Sequence, residues 1–346
     1  MASLTEIANV AGVSVATVSR VLSGSTHPVS EQTRERVHRA ADVLGFHPNM
    51  LARGLVTNRS NTIAVLVHDI SDPYFAEIVR GLEDCAHEHR YQLFISSSDR
   101  DPDRELAYVR AFLSHRVDAI IFAGGGFHDA TYRQALDALL TPFEGSNAVV
   151  RLSPSDDERP FIAADNEGGA AMMTRHLIEL GHRTIGFIDG PPDFPPSAER
   201  SAGYRAALRE AGIEPEPELI ESGHFTEEGG AAAAAALLAR RPDLTALFAA
   251  NDLMAFGALR ELQSRAVDVP GEVSVAGFDD VRMASHLHPS LTTVRVPMYE
   301  LGQQAFFLAM KLLTGERPEA RRLPVELQVR ESTAPVRLTA HERLLG

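Results

Sequence analysis

Cysteine is almost missing from this chain. The single Cys85 can form no internal disulfide, which agrees with a reducing cytosol, and it reads as a small buried hydrophobe on a helix rather than a nucleophile. Lysine is as scarce: Lys311 is the only one, so any phosphate or carboxylate clamp must be arginine or backbone. Guanidinium suits bidentate recognition, although so skewed a ratio is first of all a compositional bias. No run of about eighteen apolar residues is present, which excludes a helical membrane span. The first ten residues hold Glu6 and no basic cluster followed by an apolar stretch, so no secretory signal is visible and a cytoplasmic location is expected. Also missing are a spaced glycine fingerprint, a G-x-S-x-G elbow and a metal cluster. The 14 histidines are dispersed, with His87 and His89 two apart on a helix and so on different faces. These gaps argue against an NAD-dependent or sugar-modifying enzyme, and no metal or cofactor is expected.

What is there divides unevenly. At 346 residues the chain exceeds one compact core, and 44% hydrophobic with 23% charged residues describes a soluble globular protein of more than one domain. A net charge of −14 opposes nucleic-acid binding by the surface as a whole, because phosphate contacts need cations. The distribution of charge reverses that expectation at one end. Residues 1–60 carry six arginines (Arg20, Arg34, Arg36, Arg39, Arg53, Arg59) against four acids, a balance of +2, and the remainder carries −16. The two parts meet different partners.

The N-terminal pattern is helical and short in wavelength. Ser3 with Glu6 three residues on is a capping box, followed by the apolar stripe Ile7, Ala8, Val10. Gly12 stops that helix. Ser14 caps a second, whose Val18, Val21 and Leu22 face inward, and Ser30 caps a third through Val37, Ala40, Ala41 and Leu44. Pro48 blocks continuation, and a polar stretch at 57–62 closes the unit. Beyond it, short apolar runs at 62–67, 92–96, 119–123, 148–152, 184–188, 246–249 and 273–277 alternate with helical patterns at 75–90, 168–180, 199–211, 228–240 and 252–265. Strands apolar on both faces with helical crossovers describe a doubly wound parallel α/β core, and so many units favour two sheets. The alanine run at 231–236 is assigned to close helix-sheet packing.

A helix-turn-helix needs a small residue where its helices cross, here Ala8. It also needs a turn residue tolerant of positive φ four later, here Gly12, and an apolar lock on the second helix, here Val18. The second helix then turns Val15, Ala16, Thr17, Ser19 and Arg20 outward, short side chains that admit the backbone to a major groove and one arginine able to bond guanine edges. An ordinary helical hairpin remains the alternative on pattern alone. The wording of the segment goes further. Residues 4–24, with Ala-Gly-Val-Ser-Val-Ala-Thr-Val-Ser-Arg-Val-Leu at 11–22, closely resemble the headpiece of the lactose-repressor (LacI/GalR) family, as do 29–37 and 45–55. Residues 69–81, 181–189, 251–257 and 277–280 match that family's habits in the same order, so the resemblance covers nearly the whole chain.

The resemblance implies roles position by position. Val15, Ala16 and Arg20 would read bases, Thr17 and Ser19 would contact phosphates or support those contacts, and the cap Ser14 belongs to the same surface. Residues 48–56 would be a hinge helix in which Asn49 caps, Ala52 lies in the minor groove beside Arg53, and Leu55 is a wedge between central base pairs that bends the duplex. So short a helix is unstable alone, and Gly54 costs about 1 kcal/mol against alanine, where many relatives have serine. It is expected to fold only when two hinges meet over DNA, which couples operator affinity to the spacing of the two cores.

Ligands of doubly wound folds bind outside the carboxyl ends of strands. The residues there that the resemblance favours are Asp72, Tyr74 and Phe75 after the first strand, Ser153, Arg200, Phe225, Asn251 and Asp279. Tyr74 and Phe75 occupy ring-stacking positions of the family, with core packing as the alternative. Asp279, in a Gly-Phe-Asp-Asp run, can accept two hydroxyl bonds from a sugar, with a helix cap as the alternative. Ser153 departs from the aspartate that many relatives carry, which leaves the effector's identity open. Glycines 124–126 read as a loop.

The expected architecture is an all-α headpiece at 1–47, a hinge and linker at 48–61, and a periplasmic-binding-protein-like core at 62–346. Within the core an N-subdomain covers about 62–161 plus 291–325, and a C-subdomain about 162–290 plus 326–340. The expected function is a dimeric regulator, most readily a repressor. Its partners would be double-stranded operator DNA of pseudo-palindromic sequence and a small effector, a sugar or sugar derivative first and a nucleobase or nucleoside second. No membrane is involved, and the residues after 334 are too few for a leucine-heptad tetramerising helix. A periplasmic-type sugar-binding protein is the second reading, opposed by the headpiece, and an enzyme on the same scaffold is the third.

Overall fold

A computed structural model describes residues 2–23, 27–46, 59–124, 130–154, 159–192 and 194–336. The chain divides into two units, Met1–Asn61 and Thr62–Gly346.

The first unit is built from α1 (Leu4–Ala11), α2 (Val15–Ser23) and α3 (Glu31–Val43). The capping box forms as read: the Glu6 N–H donates to Ser3 Oγ, and the Ser3 N–H donates to the Glu6 carboxylate at 2.7 Å. Gly12 ends α1 in the left-handed region at φ 65°, a conformation that costs any L side chain about 1 kcal/mol or more. Ser14 caps α2 through the Thr17 N–H at 3.1 Å. Ile7, Ala8, Ala11, Val18, Val21, Val37, Ala40 and Ala41 make one small core, with Leu22 half-buried against it.

The second unit holds two four-stranded parallel sheets. In the first, β1 (Thr62–Val67) lies between β2 (Gln92–Ser97) and β3 (Ala119–Phe122), with β4 (Ala148–Arg151) outermost beside β3. In the second, β6 (Ile185–Asp189) lies between β7 (Ile220–Ser222) and β8 (Ala246–Ala249), with β9 (Ser274–Ala276) outermost. Each strand order reverses once, between β1 and β3 and between β6 and β8. Those are the switch points where diverging crossovers leave a crevice at the carboxyl ends. Five three-residue strands were not anticipated. One of them is β7, and four others make two ladders: β5 (Ile162–Ala164) pairs with β11 (Arg321–Leu323), and β10 (Thr293–Arg295) pairs with β12 (Glu326–Gln328). Through these ladders the chain passes three times between the sheets. Three residues carry no periodicity, which is why pattern reading passes over them.

The alanine run packs differently from the expectation. It belongs to a helix, Glu227–Arg240, whose Gly230, Ala233 and Ala234 are buried. The close partner is the next helix, Asp252–Ser264, more than the sheet: a Cβ on Gly257 would overlap the Glu227 carbonyl oxygen. Small residues there let two helix backbones meet.

Candidate functional site

On the first unit, α2 presents Val15 (43% exposed), Ala16, Ser19 and Arg20 on its open side, with Thr17 half-buried. Ser14 Oγ and Thr17 Oγ1 lie 2.9 Å apart, so both hydroxyls are tied to the start of the helix and hold its geometry as well as its surface. Asn49, Ala52, Arg53 and Leu55 lie outside the described residues.

In the second unit a cavity of about 520 Å³ of empty space, partly open to solvent, sits at the carboxyl ends of both sheets. From the first sheet's half come His68 after β1, Asp72, Tyr74 and Phe75 at the start of the helix Pro73–Glu88, Arg100 after β2, Ala123 and Gly124 after β3, and Leu152 after β4. From the second half come Phe194 and Pro196, Arg200 on the helix Pro195–Glu210, Phe225, Asn251 after β8 and Asp279. Seven of the eight residues proposed from sequence line this one space. Ser153 does not: it is buried, and the preceding Leu152 supplies the wall.

Arg200 is the organising group of the second half. Buried to 4% exposure, it donates from Nε to Asn166 Oδ1 at 2.9 Å, from Nη1 to the Ala250 carbonyl and from Nη2 to Asp279 Oδ1 at 3.1 Å, with its guanidinium carbon 3.9 Å from the centre of the Phe278 ring. All three nitrogens of the guanidinium fork are engaged, which fixes Asp279 and leaves one N–H on each Nη for a ligand. Asp279 is not a helix cap. Its N–H donates to the Val294 carbonyl at 2.8 Å, its φ is 115°, and Asp279 and Arg295 form an isolated bridge. Burial pushes its acid up to about 7, against the pull of Arg200 and with help from the charge of Asp72. Asn251 caps its helix through the Met254 N–H at 3.0 Å. Asp72 likewise caps its own through the Tyr74 N–H at 2.9 Å, and burial raises its acid.

Five aromatic rings, His68, Tyr74, Phe75, Phe194 and Phe225, complete the walls. His68 meets Phe75 edge-on at 5.7 Å and Phe194 at 5.0 Å, so one ring of each half touches the same imidazole, while Tyr74 packs edge-on against Phe75 at 5.1 Å. Burial raises the Tyr74 hydroxyl's pKa. His68, Arg100 and Phe194 were not foreseen. The strand-end rule could have found His68, which follows β1 directly; Arg100 and Phe194 stand beside Asp101-Pro102 and Pro195-Pro196, which read as helix starts. Behind His68, Ser98 Oγ lies 3.5 Å from its Nδ1, and Glu105 is buried with the Tyr132 hydroxyl donating to it. Burial pushes Glu105 up to about 7. Apolar walls with a few convergent polar groups are the usual make-up of a small-molecule site.

A trihelical unit with an open recognition helix, and a doubly wound unit with a cavity at its strand ends, together define a ligand-responsive DNA-binding regulator. Comparison with known proteins supplies the family. The description "Bacterial regulatory proteins, lacI family" matches residues 3–49, and "Periplasmic binding protein-like domain" matches 174–333. The chain is 38% identical over 340 residues to the HTH-type transcriptional regulator CelR of Thermobifida fusca, covering 95% of this chain and 98% of that protein. It is 37% identical over 312 residues to the HTH-type transcriptional regulator GalR of Escherichia coli (strain K12), covering 90% and 89%. Among solved structures, the lac repressor dimer bound to operator and the anti-inducer ONPF superposes with a TM-score of 0.85 at 28% identity, covering 96% of this chain and 99% of that one. This chain belongs to the lacI family of bacterial regulatory proteins. It is a DNA-binding transcriptional regulator and not an enzyme.

Proposed function

We propose that this regulator is a cytoplasmic repressor that binds a pseudo-palindromic operator as a homodimer, with operator affinity set by a sugar-like effector held in the cavity between its two sheets. The observation that carries the reading is the convergence of Asp72, Tyr74, Phe75, Arg200, Phe225, Asn251 and Asp279, separated by up to about two hundred residues of sequence, on one space at the switch points of both sheets. A buried carboxylate fixed by arginine, flanked by rings, suits hydroxyl-rich ligands with apolar faces. Relatives support the chemistry: one solved structure is a CelR-cellobiose complex, 35% identical with a TM-score of 0.71.

The subdomains at about 62–161 plus 291–325 and 162–290 plus 326–340 would close on the effector about the three chain crossings. Their movement would reset the spacing of the two hinges at 48–61 and so the reach of Ser14, Val15, Ala16, Thr17, Ser19 and Arg20 to the major groove. Asn49, Ala52, Arg53 and Leu55 would engage the minor groove. Fluorescence anisotropy with palindromic genomic fragments and random duplex, at fixed salt and with a panel of mono- and disaccharides, tests the reading. Preferential binding of some fragments, changed by a sugar, is expected; equal affinity for all duplexes, whatever the ligand, would reject it.

A further inference from the structure

The cavity holds two arginines in different circumstances. Arg200 has three of its five N–H donors taken, by Asn166, Ala250 and Asp279, and is paired with a carboxylate. Arg100, on the opposite wall, has no hydrogen bond or ion pair to any described residue, and its Nε is buried without a partner. The carboxylates near it are committed elsewhere: Asp69 accepts from the Ser71 N–H and hydroxyl at 2.8 and 2.7 Å, Asp72 accepts from the Tyr74 N–H at 2.9 Å, and Asp99 pairs with Arg104. Among the described residues, the ends of β3 and β4 contribute only Ala123, Gly124 and Leu152 to that wall, none of opposite sign. Arg100 is held in the left-handed region at φ 59° with its guanidinium carbon 6.0 Å from the centre of the Phe225 ring, which belongs to the other half.

A half-buried guanidinium with unmet donors is unfavourable until something supplies acceptors. Its planar fork matches the two oxygens of a carboxylate or phosphate better than any single hydroxyl. Resting on the effector-site reading above, we infer that Arg100 is a specificity-determining residue and that the effector carries an oxyanion, a carboxylate or phosphate on a sugar-sized polyol, which Arg100 binds. The polyol part then lies toward Asp279 and the rings, and the acid faces the first sheet's wall.

The test is calorimetric titration of the full-length protein with matched sets: glucose, glucuronate, gluconate and glucose 6-phosphate, and the galactose equivalents. The tightest ligand is an acid that binds about ten- to a hundredfold more tightly than its neutral parent. The carboxylate and phosphate arms show which oxyanion it is. In Arg100→Gln the ratio of acid to neutral affinity falls to about one, whatever the variant does to both affinities alike; Arg100→Lys, which keeps charge but loses the fork, recovers only part of that ratio. A neutral sugar that binds as tightly as its acids, or a preference that survives Arg100→Gln, overturns the inference and leaves the effector site standing. Failure of every compound, neutral and acidic, to bind overturns both.

Discussion

The two units of this chain solve recognition in opposite ways. The headpiece puts its recognition surface into one helix of nine residues, so Ser14 through Arg20 are contiguous in sequence and lie on one small unit. The core gathers its site from strand ends between His68 and Asp279 and buries most of it. One surface is built of short side chains and a spare positive charge to meet a large polyanion. The other sits in a strongly acidic unit and ties Arg200 to Asp279 inside itself, while the Nε of Arg100 is buried without a hydrogen-bond partner. A helix surface can be read from a single stretch of sequence. A crevice depends on how strands are ordered, which no single stretch contains.

Breaking either unit alone should expose that independence. The largest effect is expected from Val18→Asp, which places a charge at a fully buried position of a core with few other apolar residues. The cost, on the order of 4 kcal/mol, exceeds what so small a unit can spare. Calorimetry should show the headpiece transition lost and operator binding abolished, while ligand binding and the core's melting are untouched.

The converse is Asp279→Ala. Removing one partner of the buried pair with Arg200 costs the core about 3–5 kcal/mol and leaves an uncompensated guanidinium. Operator binding should persist while the response to effector is lost. A variant that still responds normally would remove Asp279 from the site.

Acidity separates the units by sign. Asp279 and Glu105, both raised to about 7, and Asp189, raised to about 6 by burial, hold protons in the folded core that the unfolded chain has already released. Their contribution is complete below the ordinary carboxylate range and declines as pH rises toward 7, on the order of a few kcal/mol in all. In the headpiece Glu6 is lowered by its bond from the Ser3 N–H, so its contribution is present above the ordinary value and is lost on acidification. Between pH 7.5 and 5.5 the core's melting temperature should therefore rise while the headpiece's stays level, and Asp279→Asn should flatten the core's slope. The smallest effect, about 1 kcal/mol, is expected from Gly12→Ala, confined to the headpiece transition.

Legibility followed the same division. Caps and turn glycine of the headpiece were readable because each rests on neighbours within four residues; the stripe of α1 was read one residue off, since Val10 is 57% exposed and Ala11 is buried beside Ile7 and Ala8. Seven strands were readable because an apolar run survives in any context, but β5, β7, β10, β11 and β12 were not. In the site, Asp279 and Arg200 stood out through their surroundings in sequence. Arg100 did not, because among Asp99, Asp101 and Asp103 an arginine reads as a solvated charge; only the fold turns it toward the cavity. Ser153 was one residue off, since after β4 it is Leu152 that faces the crevice.

That cavity and recognition helix share one equilibrium is tested most directly by measuring effector affinity with and without saturating operator, alongside operator affinity with and without saturating effector. Linkage requires the two ratios to be equal, about five- to 150-fold for couplings of ordinary size. Two ratios of one, with both ligands bound, would contradict it.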